Sequence, residues 1–390
     1  MPNNIKTNKK PLNILLISYG YDNLFQKSPL DYIAKLERDR LEPQSNSFFQ
    51  FTWSSKSYYE ERNDRLRSAH VKTVFKNFKP MTDFLAIFMV TWHIKKRDFK
   101  PDVVLIYDLG FVPAARLIKY IYGCKIVLGL LNMPSVYSAV RKYGLVKSWY
   151  SALLEKLFLR PVDAYYTINK AMESYLIKLG APLGKIKIFS SNTIARDQSH
   201  IALSRPGRIR LKYNIKDEQK IILSIGRLEA EKGYHELLEL FSQLDKKFIL
   251  IILGRGSFLE ELTALAEKLH ISDRVIFAGY ASRQEIWDYY KDADLFILLS
   301  KVEALGLVFW EAMYMRVPVI GSLATGIAET IGPDGARGLI YDRSKNNIDD
   351  LKAKINFCLL DSEPKKIMLD QARKYVEERI ANDLTINDIV

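Results

Sequence analysis

Two doubly wound α/β domains in tandem are the architecture this sequence predicts, and three observations point to it. Short, continuous apolar runs recur along the 390 residues, each followed by a stretch with apolar residues at helical spacing. Parallel strands buried on both faces and divided by covering helices produce that alternation. The length suits two domains better than one. A composition of 48% hydrophobic and 26% charged residues is that of a chain able to bury a large core, not of a disordered one.

In chain order, Leu12–Ser18 reads as a buried first strand. Its lead-in "MPNNIKTNKK" is basic like the start of a signal peptide, but the apolar part Leu12–Ile17 falls short of an h-region of about 7–15 residues. "DVVLIYD", "CKIVLGL", "DAYYTI" and "KIKIFS" continue as strands, with "FVPAARLIKYIY" and "WYSALLEKLFL" as helices. Periodicity is lost in "ARDQSHIALSRPGRIR", which places the domain boundary near Ile194–Arg210. The first domain is expected over 1–195 and the second over 196–365, with the last helix, 366–390, packing back on the first. The second half alternates more regularly. "KIILSIG", "FILIILG", "RVIFAG", "DLFILLS" and "VPVIGS" are strands, and "YHELLELFSQL", "FLEELTALAEKL", "RQEIWDYYKDA" and "LVFWEAMYM" are helices.

Several classes are excluded early. No apolar run approaches the roughly 20 residues that span a bilayer; "FLAIFMV", Phe84–Val90, is the best candidate. Two distant cysteines, Cys124 and Cys358, make neither a disulfide framework nor, with five scattered histidines, a metal cluster, so the cytoplasm is the expected compartment. The net charge of +13 is uneven. Residues 1–200 hold 31 Lys and Arg against 16 Asp and Glu, whereas the remainder holds 27 against 29. The first half is therefore expected to face something anionic, a membrane surface rather than nucleic acid, for which no motif is present.

In open parallel sheets, ligands bind beyond the carboxyl ends of strands. The loop "GRLEAEKG", Gly226–Gly233, follows one strand and places Arg227 and Lys232 beside a helix start, where a diphosphate fits. A pair of solvated surface cations is the other reading, because Glu229 and Glu231 lie between them. The stretch "KVEALGLVFWEAM", Lys301–Met313, sets Glu303 on a turn and Glu311 inside an apolar helix. A buried carboxylate needs donors, since stranding it costs several kcal/mol. A ribose diol or a buried arginine would serve Glu311, and both stay open. Gly306 lets a ligand approach the backbone at the helix start. "GRGS" at Gly254 lacks the third glycine and the downstream acid of a dinucleotide site.

The motifs "ILSIGRLEAEKG", "LGRGSFLEELTALAEKLHISDRVIFAGY", "ADLFILLSKVEALGLVFWEAM", "VPVIGSLATGIAETI" and "GLIYD" together resemble the retaining glycosyltransferases of the GT-B fold, family four of the glycosyl transferases group 1. The resemblance implies two Rossmann-like domains facing a central cleft. It implies that Arg227 and Lys232 hold the diphosphate of a UDP- or GDP-sugar without a metal or other cofactor. It also implies that Glu311 takes the ribose hydroxyls and that Glu303 sits by the reacting sugar. The backbone at Leu305, Gly306 and Leu307 would cradle phosphates or sugar, and Gly20 would sit in a loop near them. Glu303, Arg227 and Lys232 are the expected catalytic set. The chain departs from the family in two places: Ala304 and Leu305 stand where Gly and Phe are common, and Leu131-Asn132 replaces the usual amino-domain histidine.

The implied activity is retaining transfer of a sugar to a glycan or to a polyprenyl- or other lipid-linked acceptor, in cell-envelope polysaccharide or glycolipid synthesis. The basic, aromatic-rich stretch Glu61–Lys100, read either as interfacial or as ordinary amphipathic helices, fits peripheral attachment to the cytoplasmic membrane face. A nucleotide-sugar 2-epimerase of the same fold and a non-catalytic binding subunit are the alternatives.

Overall fold

A computed structural model of the 390-residue chain describes residues 12–19, 47–54, 58–63, 66–72, 79–130, 149, 153, 156–157, 162–188, 194, 197–303, 305–332, 335–345 and 347–381. The chain divides into two compact units, residues 1–189 with 384–390, and residues 190–383.

The first unit is built on an eight-stranded sheet in the order β3-β4-β2-β1-β5-β6-β7-β8. Its strands are β1 (Asn13–Tyr19), β2 (Ser47–Ser54), β3 (Tyr58–Asn63), β4 (Leu66–Lys72), β5 (Val103–Ile106), β6 (Lys125–Gly129), β7 (Ala164–Thr167) and β8 (Ile186–Ile188). All neighbours pair in parallel except β3 with β4, an antiparallel hairpin that closes one edge. The three strands at that edge are absent from the sequence reading, which gave helical readings to Glu61–Lys72. "SFFQFTWS" is rich in aromatic residues, as strands are, and Phe49 and Phe51 alternate into the core. Helix α1 (Lys79–Lys96) buries Ala86, Val90 and Ile94, and packs on α2 (Val112–Tyr122), which has proline in its first turn and Gly123 in the left-handed conformation after its last. Helix α3 (Lys170–Lys178) is capped by Asn169, whose side chain accepts from the Met172 amide.

The second unit opens with α4 (Gln198–Leu203) and α5 (Arg208–Lys212), in the segment expected to be an aperiodic boundary. Asp292 holds this entry by accepting from the amides of Gly207, Ile209 and Arg210. A six-stranded parallel sheet follows, composed of β9 (Lys220–Ile225), β10 (Phe248–Leu253), β11 (Val275–Gly279), β12 (Leu295–Leu298), β13 (Val319–Ser322) and β14 (Leu339–Tyr341). Their spatial order is β11-β10-β9-β12-β13-β14, the dinucleotide-fold order with its reversal between β9 and β12. The covering helices are α6 (Tyr234–Phe241), α7 (Leu259–Lys268), α8 (Ile286–Asp292), α9 (Leu307–Tyr314), α10 (Thr325–Ile331), α11 (Ile348–Leu359) and α12 (Glu363–Ala381).

Helix α12 lies on α9: Tyr375 meets the Trp310 ring edge-on at 6.0 Å, and Arg379 pairs with Glu329 at 3.2 Å. Met368, Ala372 and Val376, at helical spacing, are the apolar stripe that drives this packing. Residues 382–390 lie outside the described residues. No helix among the described residues is long and apolar enough to cross a membrane.

Candidate active site

The strand-order reversal fixes which loops matter. The chain leaves the carboxyl end of β9 into Gly226–Gly233 and that of β12 into Leu299–Gly306, so the two loops emerge side by side at the switch point. Main-chain bonding joins them: the Lys301 amide donates to the Glu231 carbonyl at 2.7 Å. Gly233 makes the approach possible. Its φ is +71°, and a β-carbon there would lie 2.0 Å from the Leu299 carbonyl oxygen. The Gly-x-Gly after β10 has the same kind of purpose. A β-carbon on Gly254 would strike the Gly226 carbonyl oxygen at 1.8 Å, and one on Gly256 the Leu228 carbonyl oxygen at 2.2 Å. These glycines let two loops stack.

Lys232 and Glu303, from opposite loops, meet at 2.6 Å with side chains only 13% and 15% exposed. The Ser300 hydroxyl approaches the same carboxylate oxygen at 3.4 Å. Behind them lies Tyr234. Burial raises its hydroxyl well above the ordinary tyrosine pKa, and the Glu303 charge adds to the rise. Arg227 pairs with Glu231 at 2.7 Å. The sequence left open a choice between solvated cations and an anion site. The structure shows both cations at the ends of these loops, each paired to a carboxylate: Arg227 to Glu231 and Lys232 to Glu303.

Helix α9 begins beside this pair. Gly306, at φ +68°, occupies its cap position, where a β-carbon would meet the Phe309 ring at 3.0 Å and the Glu303 side chain at 3.4 Å. No side chain caps the helix, and its first turn from Leu307 carries no acid. A helix start of this kind suits an anion. Leu305 is buried, and its carbonyl accepts from the Thr330 hydroxyl at 3.1 Å, which anchors the turn. Gly20 and Asn132 lie outside the described residues.

Glu311, five residues into α9, is 3% exposed. The Arg283 guanidinium donates to one of its oxygens at 2.7 Å and the Tyr290 hydroxyl to the other at 2.9 Å. Burial, reinforced by the Glu311 charge, drives the Tyr290 hydroxyl far above its ordinary pKa and keeps it a donor. Arg283 is tied in turn to Asp197, and burial that would lower its pKa is outweighed by Glu311 and Asp197. Neither Arg283 nor Asp197 was legible as a site residue. They stand 28 and 114 positions from Glu311 in the sequence, and nothing local marks either one. Among the described residues, no three His, Cys, Asp or Glu side chains converge as a metal site.

Residues 207–375 match the family model described as glycosyl transferases group 1. That stretch lies within the carboxyl-terminal unit. The group 1 match includes all seven described site residues, from Arg227 to Glu311. Among curated relatives, a sulfoquinovosyl transferase of Arabidopsis thaliana is 26% identical over 293 residues, 72% of this chain and 54% of its own length. An alpha-monoglucosyldiacylglycerol synthase of Streptococcus pneumoniae is 31% identical over 167 residues, 42% of this chain and 38% of its own. The chain thus spans about half the length of the first relative, and less of the second. A sucrose-phosphate synthase from Thermosynechococcus elongatus superposes with a TM-score of 0.77 at 19% identity, covering 98% of this chain and 96% of that one. Both units therefore share the GT-B fold of two Rossmann-like domains, and the group 1 domain is its carboxyl-terminal half.

Proposed function

We propose that the chain is a retaining glycosyltransferase that moves a sugar from a UDP- or GDP-sugar to a glycan or lipid-linked acceptor in cell-envelope polysaccharide or glycolipid synthesis. The observation that carries this reading is the junction at the switch point. There Lys232, Glu303 and the uncapped start of α9 meet in a domain of the glycosyl transferases group 1.

The diphosphate lies against the α9 amide end, with Lys232 and Arg227 as its cations. Bond breaking at the anomeric carbon puts charge on the departing nucleoside diphosphate, and preorganised cations and dipoles stabilise that charge as it grows. These protein charges take the place a metal would fill. Glu311 receives the ribose. Glu303, once the diphosphate draws on Lys232, faces the sugar. The acceptor attacks the face that the leaving group vacates, and a donor phosphate oxygen takes its proton, so the anomeric configuration is kept.

A lipid acceptor is supported by the similarity to the alpha-monoglucosyldiacylglycerol synthase and by α1. Phe84, Phe88 and Trp92 stand on the face of α1 opposite its buried Ala86, Val90 and Ile94, and each is more than half exposed. Lys96 lies over the Trp92 ring at 4.8 Å, and Lys95 shares the same last turn. Aromatic side chains ending in a cationic turn suit an anionic membrane surface, with peripheral attachment at the cytoplasmic face.

The test is incubation of the full chain with a panel of UDP- and GDP-sugars, with diacylglycerol or polyprenyl phosphate in mixed micelles. Glycosylated lipid with the donor's anomeric configuration, seen by NMR, is the expected product. A 2-epimer formed without acceptor would identify the epimerase alternative, and no turnover of any donor would favour a binding subunit.

A further inference from the structure

Arg283 is the outermost member of a chain of buried charges that ends at Glu311. Its side chain is 41% exposed, yet its donors are taken at both ends. One terminal nitrogen donates to Glu311 at 2.7 Å. Nε donates to Asp197 at 2.8 Å, and the other terminal nitrogen reaches the same Asp197 oxygen. Its Cζ lies 5.4 Å from the centroid of the Trp287 ring, and the Trp287 indole N–H also donates to Asp197, at 3.2 Å. Asp197 is 8% exposed. The guanidinium is therefore held along its whole edge by groups from three places: the turn before α4, helix α8 and helix α9.

A structural salt bridge would need only one carboxylate. Here a single planar fork spans two, an arrangement a lysine cannot reproduce. Its effect is to fix the rotation of the Glu311 carboxylate. An ionised carboxylate offers about four acceptor positions. Among the described residues, Arg283 and Tyr290 occupy one on each oxygen, which leaves one on each for a ligand. Two adjacent acceptor positions at fixed spacing match a vicinal diol.

We infer that Arg283, braced by Asp197, is a positioning residue that holds Glu311 oriented for the ribose hydroxyls of the nucleotide. This rests on the functional reading above, in which Glu311 takes the ribose. Arg283 acts through Glu311, so its loss should be felt only by ligands that carry the diol.

Calorimetric titration of the full chain with UDP, GDP and ADP selects the nucleotide that binds, and its 2′,3′-dideoxy analogue is the comparison. In the wild type, removing both hydroxyls should weaken binding by about tenfold or more. In Arg283→Met that ratio should fall to within about twofold, because the hydroxyls no longer find an aligned acceptor. Arg283→Lys and Asp197→Asn should give intermediate ratios, and they carry the test if thermal melting shows that Arg283→Met does not fold. A folded Arg283→Met that keeps the wild-type ratio, with both ligands weakened equally or not at all, overturns the inference and leaves the functional reading standing. A wild type that binds none of the three nucleotides overturns the functional reading itself.

Discussion

Removing the Lys232 ammonium by Lys232→Met probes the contact that joins the β9 and β12 loops. The two side chains are about 85% buried at 2.6 Å separation. At an effective dielectric constant of about 20, the direct attraction at that distance is about 6 kcal/mol before desolvation is counted. Desolvation offsets much of it, and breaking a fully buried pair from one side costs about 3–5 kcal/mol. Glu303 keeps the Ser300 hydroxyl at 3.4 Å and some contact with water, so the expected loss is about 2–3 kcal/mol. Glu303→Gln, which leaves the ammonium buried but able to bond the amide oxygen, should lose less. The double variant should recover part of the loss, giving a coupling of about 1.5 kcal/mol or more. Because the chain has two units, a single denaturation midpoint is not a sound readout. Native-state hydrogen exchange of peptides spanning β9 and β12 reports the unit concerned. A coupling below about 0.5 kcal/mol would refute the reasoning, since the loops would then be held by the Lys301–Glu231 main-chain bond and packing alone.

Gly233→Ala should destabilise the second unit by more than about 2 kcal/mol, because strain at φ +71° is joined by a clash with the Leu299 carbonyl. Gly123→Ala, at φ +70° with open space around it, should cost about 1 kcal/mol, and comparing the loss of hydrogen-exchange protection in each variant's own unit separates clash from strain. Vesicles containing anionic lipid should sediment the wild type at low salt and release it as ionic strength rises, while Phe84→Ser/Phe88→Ser/Trp92→Ser should bind markedly less at any salt. Burial, then Arg97 and Lys96, lowers the His93 pKa from 6.5 to about 4. As the pH falls from about 6.5 to about 4 the unfolded chain takes the proton first, so the stability His93 contributes is complete above that window and lost within it; His93→Gln should flatten the dependence. NMR titration of the His93 ring gives its midpoint directly.

The second unit was legible because most of its strands are continuous apolar runs, three of them leading into glycine, and such runs have few alternatives to a covered parallel sheet. Glu303 and Glu311 were legible for a similar reason: carboxylates bounding an apolar helix demand partners. The partners themselves were not. Arg283 and Asp197 occupy polar loops of ordinary composition, and only the fold brings them to Glu311. Strands β3 and β4 were hidden because their polar positions mix Arg, Lys, Glu and Ser without a clean alternation, and edge pairing rather than apolar content makes them strands, whereas the apolar content of β2 was overlooked. Helix α12 shows only a narrow apolar stripe in the sequence, which says that it packs but not on what; its contacts with Trp310 and Glu329 appear only in the fold.

Calorimetric binding of nucleoside diphosphate to the full chain is the most direct measurement, with UDP and GDP titrated into the wild type and into Lys232→Met, and the matching nucleoside as control. The junction of Lys232, Glu303 and the α9 start predicts that one diphosphate binds the wild type at least about tenfold more tightly than the variant, whereas the nucleoside distinguishes them little. Equal diphosphate affinity for both proteins would contradict the placement of the diphosphate at the switch point.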